Sequence, residues 1–333
     1  MSERVAAGDL ETYLRCPRRY EFAHIQGLEV DEDSPERRRL EPIRAAICGA
    51  LRSGRTESDD LEDAGLERLE ERWDDHDERF HSSEQREHER RVLEAAVSAY
   101  VETVGPDHAA GIASLHEETD GAVVGPALPL SASIDCAEEV TIEATATVDY
   151  LYGDGSSLVG VRFVPTTASL GLLRYRSAWE GDVASLFVEH VDPDADRFEP
   201  GPVAALFETA IVLAGLRELR EHLALPHRTC RYVQIPLVDR SSVRVDWVRG
   251  TVEAGVEPVD LTDVYVDQQT FRKTHQHRNE TVDARLARTL SALSAGEFDL
   301  GSRRERIAES ACPSCAYAVC CEDRLEREVR FSG

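Results

Sequence analysis

Lysine is almost missing from this sequence. Its 333 residues hold 38 bases, of which Lys273 is the single lysine, against 64 acids and a formal charge of −26. Acid excess with arginine in place of lysine is typical of proteins that work in molar salt, where screening over a few ångströms removes most self-repulsion. The composition therefore reads as a halophile's cytoplasmic protein. The acidic total excludes a sequence-blind coat on nucleic acid, though not a local basic groove. In concentrated salt such a groove gains little from counterion release and relies on shape and hydrogen bonds.

Long apolar runs are missing too. No stretch reaches the roughly 18 apolar residues of a bilayer span, and the best, "AALFETAIVLAGL", is interrupted by Glu208. The amino end, "MSERVAAGDLETY", has no basic-then-apolar leader. There are no internal repeats and no clear interdomain linker. A soluble intracellular protein without a membrane partner is expected, and there clustered cysteines point to metal or redox chemistry more than to disulfides. Apolar residues make up 41%, enough for a sizeable core in one decorated α/β domain.

The pattern along the chain gives three parts. Residues 1–110 read as helical: "DLETYLRCPRRYEF" (9–22) capped by Asp9, then "LEPIRAAICGALRSG" ending at Gly54, with 93–104 as a later helix. Between them, 55–92 is so dense in charge that it reads as a solvated helical insertion, with His76, His81 and His88 on its surface. Residues 120–250 read as the sheet core. "ALPLSASI", "EVTIEATATVDYLY" and "SLVGVRFVP" are strands, with "GDGS" turning between the last two. A helix follows at 201–223, then "CRYVQIPLV" and "SVRVDWVRG" as a strand pair. Residues 268–333 carry an amphipathic helix through Leu286, Leu290 and Leu293, then a cysteine cluster. His275 and His277 read as polar helix surface.

That cluster, "ESACPSCAYAVCCEDRLE", packs Cys312, Cys315, Cys320 and Cys321 into ten residues. Cys312-x2-Cys315 sets two thiolates on one tight turn, a usual grip for zinc or iron. Cys320 and Cys321 are adjacent and point apart, so one of them joins the same site. A fourth ligand must come from Cys16, Cys48, Cys136 or Cys230. The polar setting of Cys16 in "YLRCPRRYEF" favours it over Cys48. A structural zinc site more often uses two Cys-x2-Cys knuckles, and only one is present.

At both ends the chain resembles a known group. "DLETYLRCPRRYEFAHIQGLE" is similar to the opening of RecB-type nucleases of the PD-(D/E)XK superfamily, in the iron–sulfur branch that contains AddB and the CRISPR-associated exonucleases. There an early Cys-Pro-x-x-(Tyr/Phe) cysteine joins a late Cys-x2-Cys-x5-Cys to hold a 4Fe–4S cluster. Cys312-x2-Cys315-x5-Cys321, after "AGEFDLG", matches that spacing. The resemblance thus implies Cys16, Cys312, Cys315 and Cys321 as ligands, Cys320 as a spare, and zinc as the alternative metal. It covers the termini well and the middle by element order. The fold it implies is an α/β, restriction-endonuclease-like central mixed sheet flanked by helices, closed by a cysteine cluster that joins the termini.

The family's cutting site fares worse. Asp149, in "ATVDYLYGDGSSLVGVRFVPT", falls on the first metal-binding aspartate. Arg162 stands where the second acid belongs and Val164 where the lysine belongs. Cys48 is near the histidine position, and Glu208 and Val212 replace the Gln/Tyr pair on the later helix. Arginine at a metal-ligand position repels the cation. By itself Asp149 also reads as a turn-flanking carboxylate, paired with Arg162. A shifted register would enlist Glu143 or Glu189.

The implied function is a catalytically inactive, nuclease-like iron–sulfur protein of DNA repair or recombination. It would bind DNA ends or single strands as accessory to a UvrD-like helicase. Arg15, Arg18, Arg19, Arg303 and Arg304 are the phosphate-contact candidates, or else partners of surface acids. Two alternatives stand beside this: an active, Mg- or Mn-dependent DNA exonuclease with a migrated site, and a purely structural or redox iron–sulfur protein.

Overall fold

A computed structural model describes residues 4–28, 30, 34–119, 123–136, 140–174, 198–246 and 248–328. It begins with a short strand, β1 (Arg4–Ala6), that runs into α1 (Ala7–Arg15). Cys16 then takes an extended conformation, φ −164°. Pro17 follows and restarts the chain as α2 (Pro17–Tyr20), with a π-helical turn over Glu21–Ile25. Proline disfavours helical geometry in the residue before it and suits a first helical turn, so "CP" breaks the expected 9–22 helix in two. Asp9 is not the cap: its Oδ2 accepts the Ala6 N–H at 3.0 Å from the third helical position.

Four helices follow: α3 (Pro35–Leu51), α4 (Ser58–Asp74), α5 (Ser83–Thr103) and α6 (Gly105–Glu118). Ser34 caps α3 and Ser82 caps α5 through their hydroxyls. The charged block is not the solvated insertion that its composition suggests. Leu61, Leu69 and Trp73 on α4 are buried. Arg39 bridges Glu78 (2.7 Å) and Glu89 (3.0 Å), and Arg240 adds to Glu89 at 2.7 Å. His76 is part of this network, 3.2 Å from Glu78 and stacked on Trp73. Its ring is therefore not a surface group, whereas His81 is exposed and His88 half-buried.

The sheet is mixed. It has six strands, the first of which is β1, and the order is set by the pairings that follow. The strands β2 (Val124–Asp135), β3 (Thr141–Asp154) and β4 (Ser157–Val164) form an antiparallel meander. The β3–β4 turn places Gly155 at φ +54°, the left-handed region that glycine enters without a Cβ clash. Helix α7 (Pro200–His222) then crosses over to β5 (Thr229–Pro236), which pairs parallel to β4 along its length. β5 also pairs with the two-residue β8 (Val259–Asp260). Contrary to the expectation from sequence, the strand at 243–246 does not pair with β5. It is β6 (Val243–Asp246), folded into a separate hairpin with β7 (Thr251–Ala254).

Helices flank this sheet. α7 lies against β2, β3 and β5 and also meets α1; α6 lies against β3. At Gly111 of α6 an added Cβ would fall 2.5 Å from the Gly153 carbonyl, so helix and strand approach as only glycine allows. The chain continues through α8 (Leu261–Tyr265), α9 (Gln268–Thr274) and α10 (Glu280–Ser294). The single amphipathic helix expected after Asp267 is thus two helices. His275 sits between them at φ +55°, and Asn279 caps α10 by accepting from the Thr281 and Val282 N–H groups. His277 is not free surface either: its Nδ1 lies 2.7 Å from the Cys230 carbonyl and its ring stacks on Phe271. The short α11 (Arg304–Ser310) and α12 (Glu322–Glu328) carry the cysteine-rich end back to α2. No helix among the described residues is long and apolar enough to cross a membrane.

Candidate functional site

The strand β3 is longer than any neighbour, and this length makes the first site. On one edge it pairs with β1 at 143–145 and with β4 only from Tyr150 onward. Between those contacts, at 146–149, the edge opens. Asp149 stands at the fork, fully buried. Its Oδ2 accepts the Phe163 N–H at 2.7 Å, bridging to β4 where ladder bonding has stopped. Its Oδ1 accepts the Ala127 N–H at 3.3 Å. Ala127 holds φ +58° in the irregular part of β2, where the register with β3 shifts between Val124 and Leu128.

The charge of Asp149 is met by Arg44, whose Nε donates to Oδ1. Arg44 is on α3 one turn before Cys48, so both face the same strand. Cys48 is buried with its sulfur 3.8 Å from the Asp149 carbonyl oxygen. Burial, helped by the Asp149 charge, pushes its thiol well above the usual range. The sequence pairing of Asp149 with Arg162 is replaced: Arg162 donates instead to Glu208 of α7. Tyr232 of β5 donates its hydroxyl to the same Glu208 oxygen, and Gln234 donates to Tyr232 at 3.1 Å. Glu208 beside it keeps Arg162 firmly charged against the opposing effect of burial, while burial and Glu208 together raise the Tyr232 hydroxyl.

Of these groups, Arg44, Arg162, Glu208 and Gln234 line a cleft of about 710 Å³, whereas Asp149, Cys48 and Tyr232 do not. Arg15 and Arg19 from α1 and α2, Arg37 and Arg44 from α3, and Arg162 from β4 line it. Val164 is on its wall, but Val212 is buried in the core, one turn from Glu208. Arg44 shields Asp149 from this space. Glu143, the shifted-register alternative, is joined to Arg4 at 3.0 Å across β1 and β3. Glu189 lies outside the described residues.

The second site is at the termini. Cys16, Cys312, Cys315 and Cys321 line one cavity of about 380 Å³, together with Arg18 and Arg19. Cys16 is not in the polar, open setting that its sequence suggests. It is 8% exposed and packs with Leu300, Ile307 and Ala311. Burial raises its thiol to about 11; the backbone N–H groups of Arg19 and Arg18 pull it down, and the nearby Cys315 and Cys312 push it up. Cys320 is exposed, its sulfur donating to the Tyr317 carbonyl at 3.3 Å, and it does not reach the cavity. The alternative ligands Cys48, Cys136 and Cys230 lie elsewhere, and all eight cysteines are unbridged.

Among the described residues no group of three or more His, Cys, Asp or Glu side chains is arranged to hold a metal ion. The four thiols wall a common space without gathering on one point.

Protein contacts already hold the two ends together around this cavity. Arg18 bonds Asp323 at 2.9 Å and Arg304 donates to the same carboxylate. The Tyr317 hydroxyl donates to the Leu28 carbonyl at 2.8 Å, and its ring meets Phe22. Of the arginines expected at phosphates, Arg18 and Arg304 thus converge on Asp323, and Arg15 pairs with Glu11 at 3.1 Å while facing the cleft.

Sequence reasoning missed Arg44, Tyr232 and Gln234. Arg44 had a signal: it opens "RAAICGAL", four residues ahead of Cys48, at helical spacing from a position already suspected of facing the site. No protein-family model matches the chain, and no curated protein sequence matches it either.

Proposed function

We propose that this chain is a nuclease-like protein that binds DNA in the arginine-lined cleft without cutting it, closed at its termini by an iron–sulfur cluster. One observation carries the reading. The two carboxylates at the expected cutting site, Asp149 and Glu208, are each joined to a guanidinium, Arg44 and Arg162. A divalent metal would have to displace a fixed positive charge to reach either of them. The arginines that close the carboxylates also line the cleft, where planar guanidinium forks suit phosphate oxygens.

The thiol cavity fits the cluster by its donor set. Four sulfurs line it with no imidazole, and its one lining carboxylate, Asp323, is taken up by Arg18 and Arg304. Such a set suits a soft, iron-based group, and Cys16, Cys312, Cys315 and Cys321 would hold it. The group would supply a cross-link between residue 16 and the last 22 residues. A loop that long is worth on the order of 5 kcal/mol if closed covalently. A helicase of the UvrD type is the proposed partner, with this chain as its non-cutting subunit.

The test is one assay with two readouts. Labelled single-stranded and duplex DNA are incubated with the protein and Mg or Mn from low to molar KCl, and both anisotropy and strand length are followed. Binding without shortening is expected, weakened by R19A. Metal-dependent shortening that D149A abolishes would establish the migrated-site exonuclease instead, and no binding at any salt would leave a structural or redox role. Affinity capture in high salt that returns no helicase would remove the partnership.

A further inference from the structure

A second cavity, of about 680 Å³, opens on the other side of α1 from the cleft, between that helix and α10. Arg285 and Arg288 enter it from consecutive turns of α10, and Arg303 faces them from the turn before α11. Among the described residues none of these three guanidiniums is in an ion pair. Acids outnumber bases 64 to 38 in this chain, so a carboxylate partner is easily had and its absence here is informative. Of the carboxylates at the rim, Glu21 is joined to Arg18 at 2.8 Å, and Asp299 accepts the Gly301 N–H at 2.8 Å. Glu297 is exposed and lies near the Tyr13 hydroxyl, which donates to its backbone carbonyl at 2.7 Å.

The cavity also has an apolar lining. Tyr13, Leu14 and Phe207 are buried there, and Phe298 is half-buried. A concave site that combines unpaired guanidiniums with aromatic side chains suits a ligand that carries a dianionic group and a flat ring. Three guanidinium forks exceed what a carboxylate needs and match the oxygens of a terminal phosphate. The volume is in the range of small-ligand sites.

We propose that this cavity binds a phosphate monoester, with Arg285, Arg288 and Arg303 holding the phosphate and the Tyr13–Phe298 side taking a base. The monoester is either a free mononucleotide or the phosphorylated end of a strand. The inference does not require that the cleft bind DNA.

Four probes separate the outcomes at matched ionic strength in KCl: inorganic phosphate, thymidine 5′-monophosphate, and a short oligothymidylate with and without its 5′-phosphate. Calorimetric titration of the whole protein should show the monophosphate binding and competing with inorganic phosphate. If strand ends are the source, the phosphorylated oligonucleotide binds about tenfold more tightly than the hydroxyl-ended one. R285A/R288A, at a half-buried and an exposed position of α10, should melt as the wild type does and lose that binding or preference. R303A tests the third arm independently.

Monophosphate binding without any strand binding supports this site and removes the DNA reading. Strand binding that ignores the end, with no response to the monophosphate, does the reverse. Monophosphate or end binding that survives both variants overturns the assignment.

Discussion

The cleft and the thiol cavity share Arg19 on their walls, yet they meet their chemical needs in opposite ways. In the cleft every carboxylate oxygen of Asp149 and the Arg162-bound oxygen of Glu208 has a partner within the protein. A buried polar site that is internally satisfied is rigid and has no vacancy for a cation. In the thiol cavity four sulfurs from opposite ends of the chain share a space, and Cys16 is buried with a raised thiol. Sulfurs placed so are poor partners for one another. The lesson is that which polar groups the fold itself answers separates a closed polar site from a thiol-lined one.

The largest expected effect concerns the thiols. C16S should lose bound iron and destabilise the chain by up to about 5 kcal/mol, the loop-closure value for so long a link, seen as a lower melting temperature and a bleached visible spectrum. C320S should change neither, because Cys320 points away. Equal effects of the two variants would break the comparison from the thiol side.

In the cleft, R44A should cost about 3 kcal/mol in chemical denaturation, because it strands a fully buried carboxylate. R162A should cost less, about 1–2 kcal/mol, since 34% of that side chain meets solvent and screening weakens the pair. If R44A is harmless, Asp149 is not held by its ion pair and the cleft is more open than described.

Acid should find the sheet behind the cleft before it finds the termini. His108 lies in the core with Nδ1 2.6 Å from the Tyr150 hydroxyl, which in turn lies 3.0 Å from that of Tyr100. Burial lowers its pKa from 6.5 to about 4. Between those values the unfolded chain binds a proton that the folded chain refuses, so stability falls as pH drops from about 6.5 to 4. The loss from this group reaches about 3 kcal/mol. H108Q should flatten that part of the stability–pH curve.

At α10, N279A removes a cap that accepts from two N–H groups and also leaves the Tyr265 carbonyl without the amide that donates to it at 2.8 Å, so it should cost about 2 kcal/mol. It is a control for damage near the termini that leaves the thiols in place, and metal content should be unchanged.

Much of this was legible in the sequence. The β2–β3–β4 meander, its Gly155 turn and helix α7 follow from alternation, turn chemistry and helical period. Cys16, Cys312, Cys315 and Cys321, which line one cavity, were picked out together by the family resemblance and not by local pattern. Local patterns did not carry the partners. Whether β5 pairs with the 243–246 strand or with β4 depends on a crossover through α7, which no window of residues reports. The block at 55–92 looked solvated because its charge hides Leu61, Leu69 and Trp73, which lie on one face of α4. Arg44 was passed over because arginine on a charged-looking helix is ordinarily surface; only the fork of β3 makes it the partner of Asp149.

Elemental analysis tests the central contrast most directly. Protein purified without oxygen is equilibrated with excess manganese and zinc, desalted and counted for each metal. The account predicts iron retained at about four per chain, as a 4Fe–4S cluster requires, with no manganese. Iron-free protein, or one manganese per chain that D149N releases, would contradict it.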